Sequence, residues 1–152
     1  MLSSGMTHPH LHNVRRRLSL TSSLPELAKI SPWLGELATE LDIPGETRFA
    51  IELCLEEALS NIVRHGYRSE PGHTMTVDCS TDDGSVVFIV EDHAPHFEPT
   101  EPGEAEIEHL NTITPGGQGI RLLYRFAGSV KYERLSDGNR MILGFALPET
   151  PA

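Results

Sequence analysis

Apolar positions change period along the chain, and each change marks an element. From Val14 to Thr21 the pattern is extended and predicts a first strand. Ser23, with Glu26 three residues on, fits a capping box, and Leu27, Ile30, Leu34, Leu37 and Leu41 follow at helical spacing. Pro32 falls inside that stretch and predicts a break or kink near Ser31, and Ile43-Pro44-Gly45 ends it. A second helix is predicted from about Glu46 to His65. Ile51, Leu55, Ala58, Leu59 and Ile62 line its core stripe, and Gly66 is its expected C-cap.

Two strand-like runs follow, about 73–80 and 85–91, joined by the turn sequence Thr81-Asp82-Asp83-Gly84. The unbroken apolar run Val86 to Val90 predicts a strand buried on both faces. Residues 92–117 show no periodicity and contain Pro95, Pro99, Pro102 and Pro115, a length of loop that is commonly a lid or binding loop. A helix is expected over about 118–127, then strands near 129–135 and 140–147 flanking Ser136-Asp137-Gly138-Asn139. The order β-α-α-β-β-loop-α-β-β predicts an α/β (α+β) fold, a mixed, mostly antiparallel sheet with helices on one face. Residues 1–12 read as a flexible tail preceding one domain over 13–148. His8, His10 and His12 there form at most a weak metal-binding tract.

Charge narrows the partners. Against 22 Asp and Glu stand 12 Lys and Arg in 152 residues, a formal net charge of -10, which argues against direct binding of nucleic acid or an anionic membrane. The two cysteines, Cys54 and Cys79, form no CxxC pair and read as small core residues. The Arg15-Arg16-Arg17 run is followed by an apolar stretch too short and polar for a signal peptide, and no membrane-spanning run exists, so a cytoplasmic location is expected.

Three places can carry chemistry. Glu57 and Asn61 stand one helical turn apart on the edge of the core stripe. A carboxylate there can act as a general base, and a carboxamide oxygen can ligate a hard cation such as Mg²⁺. Arg64 and His65, a turn later, are placed to reach phosphate oxygens. A solvated helix face is the plainer reading of the Glu57 and Asn61 spacing. Asp92, at the end of the most apolar strand, can accept a hydrogen bond from an amine such as that of adenine, or merely start a turn. His93 and His96 form an HxxH pair with no third ligand in view, which disfavours a metal there. Gly116, Gly117 and Gly119, ahead of the expected helix, allow backbone N–H groups to approach a phosphate; hinge glycines are the alternative.

Taken in order, these stretches resemble the nucleotide-binding boxes of the GHKL superfamily, in particular the anti-sigma factor serine/threonine kinases of the RsbW and SpoIIAB type. EEALSNIVRHGY (56–67) resembles the N box, VEDHAPHFEP (90–99) the G1 box, GGQGIRLL (116–123) the G2 box and VKYERLSDGNRMILGF (130–145) the last hairpin. The resemblance covers roughly residues 14–148. It implies a Bergerat-type two-layer sandwich that binds ATP and Mg²⁺ under a lid of about residues 98–117. Glu57 would be the base and Asn61 the Mg²⁺ ligand, with Arg64, His65, Asp92, Ala94, Gly116, Gly117 and Gly119 around the nucleotide. It further implies phosphorylation of an anti-sigma-factor antagonist of STAS fold, sequestration of a sigma factor, and a homodimer.

This chain departs from the pattern at the adenine end. Ala94 stands where G1 boxes commonly have glycine, so a methyl is expected to crowd the nucleotide. The hydroxyl that the last hairpin often offers near the Asp is missing from Met141, Ile142 and Leu143. The competing reading is therefore a catalytically weak or inactive partner-binding module of the same fold, with a degenerate nucleotide site.

Overall fold

The computed structural model describes residues 14–96 and 126–148. The expected tail, the lid, the G2 glycines and all but the last two residues of the helix over 118–127 lie outside the described residues.

Strand β1 (Val14–Thr21) leads into a 3-10 turn (Leu24–Lys29), helix α1 (Ile30–Leu41) and helix α2 (Gly45–Asn61). A π turn (Ile62–Gly66) extends α2, and then come β2 (Thr74–Asp82), β3 (Ser85–Asp92), β4 (Ser129–Leu135) and β5 (Gly138–Ala146). The five strands form one sheet in the order β1-β2-β3-β5-β4. Every neighbouring pair is antiparallel, so the sheet is antiparallel rather than mixed among the described residues. The β2–β3 hairpin closes on Asp83 and Gly84, both at positive φ (49° and 86°), the two-residue geometry whose twist matches that of the strands.

Both helices pack on one face of this sheet. Ile30, Leu34 and Leu37 of α1 and Ile51, Cys54, Leu55, Ala58 and Leu59 of α2 are buried against Val77, Phe88, Val90 and Leu143. Phe88 anchors the seam, meeting Trp33 edge-on at 6.2 Å and Phe145 at 6.1 Å. Cys54 and Cys79 are free and buried, and burial pushes the Cys54 thiol up to about 12, so it is inert at neutral pH.

Three expectations change in detail. The break near Ser31 is a switch from 3-10 to α geometry between Lys29 and Ile30. Pro32 then falls in the first turn of α1, where its missing N–H costs no helical bond. Gly66 is the last residue of the π turn and has no left-handed φ; the chain reverses at Arg68 and Ser69, with φ of 52° and 64°. Strand β3 is not buried on both faces. Val86, Phe88, Val90 and Asp92 are buried, while Val87 and Ile89 alternate with them and are only half-buried. On that outer face Ile89 lies between Asp78, paired with Arg17, and Ile142, and Arg140 bridges Glu91 and Glu133.

Tyr67 ties the end of α2 to the sheet. Its hydroxyl donates to the Thr74 carbonyl and accepts from the His93 N–H, both at 2.8 Å, and its ring stacks on His73 at 4.4 Å. Tyr67→Phe removes both bonds and leaves the His93 N–H without its partner. An expected loss of about 1–3 kcal/mol in unfolding free energy is checked by urea denaturation.

Candidate functional site

The two-residue period of β3 determines where Asp92 goes. It shares the inner face with Val86, Phe88 and Val90, so a carboxylate arrives beneath the helices, 3% exposed. The helical period does the same for Asn61: three residues after Ala58, it stays on the packed side of α2 and is 5% exposed. Both line one narrow pocket, together with Ala58, Ile62, Val90, Met141 and Tyr132. That pocket has room for about one water molecule between its walls.

Asp92 Oδ1 accepts from the Ala94 N–H at 2.8 Å and from Asn139 Nδ2 at 2.9 Å. Burial pushes its pKa above the ordinary value, and those two donors pull the other way. Ala94 is itself buried, its carbonyl accepts from Asn139 Nδ2 at 3.2 Å, and its φ lies outside the left-handed region. The alanine thus sits without backbone strain in the position discussed for glycine, and its methyl is not part of the lining of the Asp92 pocket.

Glu57 lies one turn before Asn61 on α2. One of its carboxylate oxygens, Oε2, is buried with no hydrogen-bond partner among the described residues. Burial raises its pKa, opposed by the charge of Arg64. A buried carboxylate oxygen in want of a donor, one helical turn from a buried carboxamide, is a pair of groups whose chemistry fits a hydroxyl proton and a hard cation. Arg64 and His65 fall in the π turn and are exposed, and His65 lines an open cleft of about 690 Å³ with Tyr67, Arg68, His73, His93 and His96.

The structure therefore brings Asp92 and Asn61 into one pocket, keeps Glu57 one turn from Asn61, and puts His65 in a second cleft. Gly116, Gly117 and Gly119 lie outside the described residues. His93 and His96 both face the β4–β5 turn: His93 Nδ1 lies 3.2 Å from the Asp137 carbonyl and His96 Nε2 lies 3.1 Å from that of Leu135, so each ring nitrogen donates. Among the described residues no group of three metal-ligating side chains assembles, and no helix is long and apolar enough to cross a membrane.

Tyr132, which lines the pocket, and Asn139, which holds Asp92, carry no mark in the sequence pattern. The hairpin turn Ser136-Asp137 sets Leu135 opposite Gly138 and hence Tyr132 opposite Met141. Counting back from that turn places a hydroxyl on β4, beside the β5 residues that offer none.

Comparison with known proteins gives a consistent picture. Residues 20–145 match the family described as the histidine kinase-like ATPase domain. The serine/threonine-protein kinase BtrW of Bordetella bronchiseptica is 29% identical over 114 residues, 73% of this chain and 79% of the relative. An anti-sigma F factor of Oceanobacillus iheyensis is 25% identical over 102 residues, 64% of this chain and 68% of the relative. Among solved structures, the RsbU and RsbW domains of Rv1364c from Mycobacterium tuberculosis superpose with a TM-score of 0.64 at 16% identity over 87% of this chain, which spans 31% of that one. The histidine kinase domain of the blue-light activated EL346 protein from Erythrobacter litoralis gives 0.51 at 19% identity over 82% of this chain, which spans 60% of that one. At those identities the two structures speak for the fold alone.

Proposed function

Since this chain belongs to the histidine kinase-like ATPase domain family, we propose that it binds ATP with Mg²⁺ and acts as a serine/threonine kinase on an anti-sigma-factor antagonist of STAS type, while sequestering a sigma factor. Its similarity to proteins named serine/threonine-protein kinase and anti-sigma F factor supports the reading. The observation that carries it is the meeting of Asp92 and Asn61 in one pocket, with the unpartnered Glu57 oxygen one helical turn away.

In this account Asp92 accepts the amine of adenine, and Asn61 offers its carboxamide oxygen to Mg²⁺. When bound, the ion neutralises phosphate charge and so favours charge rearrangement in phosphoryl transfer. Glu57 takes the proton of the attacking Ser or Thr hydroxyl as its oxygen bonds to the γ-phosphorus and the bond from that phosphorus to the β–γ bridging oxygen breaks. Desolvation makes Glu57 a stronger base than a solvated carboxylate, and the charge of Arg64 opposes that rise. Arg64 and His65 draw the phosphates toward the end of α2.

The test is transfer of labelled γ-phosphate from ATP to purified STAS-domain antagonists, followed across pH. Both Glu57 and Asp92 must be ionised, and the pKa of each is raised by burial. Activity should therefore fall with acidification at a pH above the ordinary carboxylate range of about 4. No transfer to any antagonist from folded, ATP-bound protein would remove the kinase reading and leave a partner-binding module.

A further inference from the structure

The first turns of α2 carry apolar side chains on two faces. One face is the core stripe. Phe49, Leu53 and Glu56, at i, i+4 and i+7, share the side turned away from it, with Glu52 on the flank and Glu46 a turn before Phe49. Phe49 is 64% exposed and Leu53 half-buried, and both lie outside the core cluster. Phe49 does not stand alone. It lines a groove of about 640 Å³ between the start of α2 and the end of β5, with Pro44, Phe126, Phe145, Leu147 and Pro148 in the other walls. A contiguous apolar concavity of this kind marks an interaction site, as a single exposed side chain would not.

Charge says what kind of partner fits. Among the described residues Glu46 is the one charged side chain in the lining, and Glu52 and Glu56 follow it along the helix. None of the three is in an ion pair among the described residues. Burial and the charge of Glu52, one turn earlier, both raise the Glu56 carboxyl above its ordinary value, so these carboxylates stand close with no cation between them. Arg48, the one base in this part of α2, turns the other way. Its guanidinium lies against Gly35 of α1 and donates to the Ser31 carbonyl at 3.4 Å. The face therefore combines an apolar groove with acidic groups that nothing in the described chain neutralises.

We propose that this groove seats a basic amphipathic helix of a partner protein, its apolar side against Phe49 and the groove and its Lys or Arg side chains on Glu46, Glu52 and Glu56. Backbone hydrogen bonding selects a helix over a strand. The main-chain groups beside the groove are already bonded: Gly128 N–H to the Gly144 carbonyl at 2.7 Å, Leu147 N–H to that of Gly84 at 2.8 Å, and Arg48 N–H to that of Pro44 at 2.8 Å. An extended segment would find no open ladder there, whereas a helix satisfies its own N–H and C=O groups. Phe49 to Glu56 spans about 10 Å of helix, the length of two turns of the occupant. The site is independent of the nucleotide reading, since Asn61 ends α2 about 24 Å along the axis from Gly45.

The experiment is fluorescence anisotropy with a labelled 14-residue Leu/Lys peptide whose leucines repeat at helical spacing. Two controls accompany it: the same composition in an order with no apolar face, and a Leu/Glu peptide at the same spacing. The wild-type protein should bind the Leu/Lys helix at least about 10-fold more tightly than either. Phe49→Ser, a change at an exposed position, should weaken that binding on the order of 10-fold. Glu56→Lys should weaken it about as much, and added salt should weaken the wild-type complex. Glu36→Lys, the same charge reversal at an exposed position of α1, should leave it within about 2-fold. Circular dichroism confirms that each variant is folded. Unchanged binding in Phe49→Ser overturns the proposal. So does equal weakening by Glu36→Lys and Glu56→Lys, which marks attraction to net charge alone. Equal binding of the control peptides, or no binding of the Leu/Lys helix at millimolar concentration, overturns it as well. Self-association of the protein alone that Phe49→Ser abolishes, without peptide binding, assigns the face to a second copy and likewise overturns it.

Discussion

Glu57→Gln is expected to lower phosphotransfer at least about 100-fold, and to leave ATP affinity close to that of the unaltered protein. Glutamine has the same shape and can occupy the same half-buried position, but it cannot accept the hydroxyl proton. The substitution separates chemistry from packing in a second way. The raised pKa of Glu57 means that its ionised form is disfavoured in the folded chain relative to the unfolded one, chiefly through desolvation. Stability is therefore lost, not gained, as pH rises through the carboxylate range. A neutral amide removes that penalty, so at neutral pH the unfolding temperature should hold or rise while activity disappears. Such opposite movement marks a group held in a strained electrostatic environment for function. Transfer of labelled phosphate, measured beside thermal unfolding at pH 7, checks both halves. Unchanged transfer would refute the assignment of the base.

Gly138→Ala should be the most damaging single methyl in the described structure. A Cβ on Gly138 would lie 1.9 Å from the Asp92 carbonyl oxygen and 3.0 Å from the His93 Cα, both backbone atoms that no side-chain rotation can move. The start of β5 must shift away from the end of β3, and with it Asn139, which holds Asp92 and Ala94. Overpacking of this kind costs about 1–3 kcal/mol, and here the displaced groups are those that shape the pocket. ATP affinity should fall by more than the loss of stability alone would produce. Gly45→Ala is the matched control, since a Cβ there meets nothing within 4 Å at the first residue of α2. Denaturant midpoints and ATP titrations of the two variants decide it: a Gly138→Ala protein as stable as Gly45→Ala would refute the close approach.

Much of this fold was legible because local periods and turn chemistry agree with the global packing. Strand β1 falls on the residues that the extended pattern marks, and the Asp83-Gly84 turn fixes the β2–β3 register. The core stripe of α2, Ile51 to Leu59, is buried as its spacing requires. What the sequence could not convey is what depends on neighbours. The apolar run of β3 reads as doubly buried, because Val87 and Ile89 are as apolar as Val86 and Phe88. Only the sheet shows that its outer face is flanked by ion pairs instead of helices. Likewise, Pro32 carries no mark saying whether it breaks a helix or opens one. The pocket divides in the same way. Asp92 and Asn61 could be singled out by residue type and position, whereas Asn139 and Tyr132 matter through cross-strand register. Asn139 in a turn sequence looks like an ordinary turn residue until Asp92 is found opposite it.

The central claim, that Asp92 anchors a nucleotide, is tested most directly by titrating the purified protein with ATP in a calorimeter, with and without Mg²⁺, beside an Asp92→Asn variant. The account predicts Mg²⁺-dependent binding that the variant weakens on the order of 100-fold, since the amide puts a donor or a single acceptor where the carboxylate offered its free oxygen. No heat at millimolar ATP from well-folded protein, or equal binding by Asp92→Asn, would contradict it.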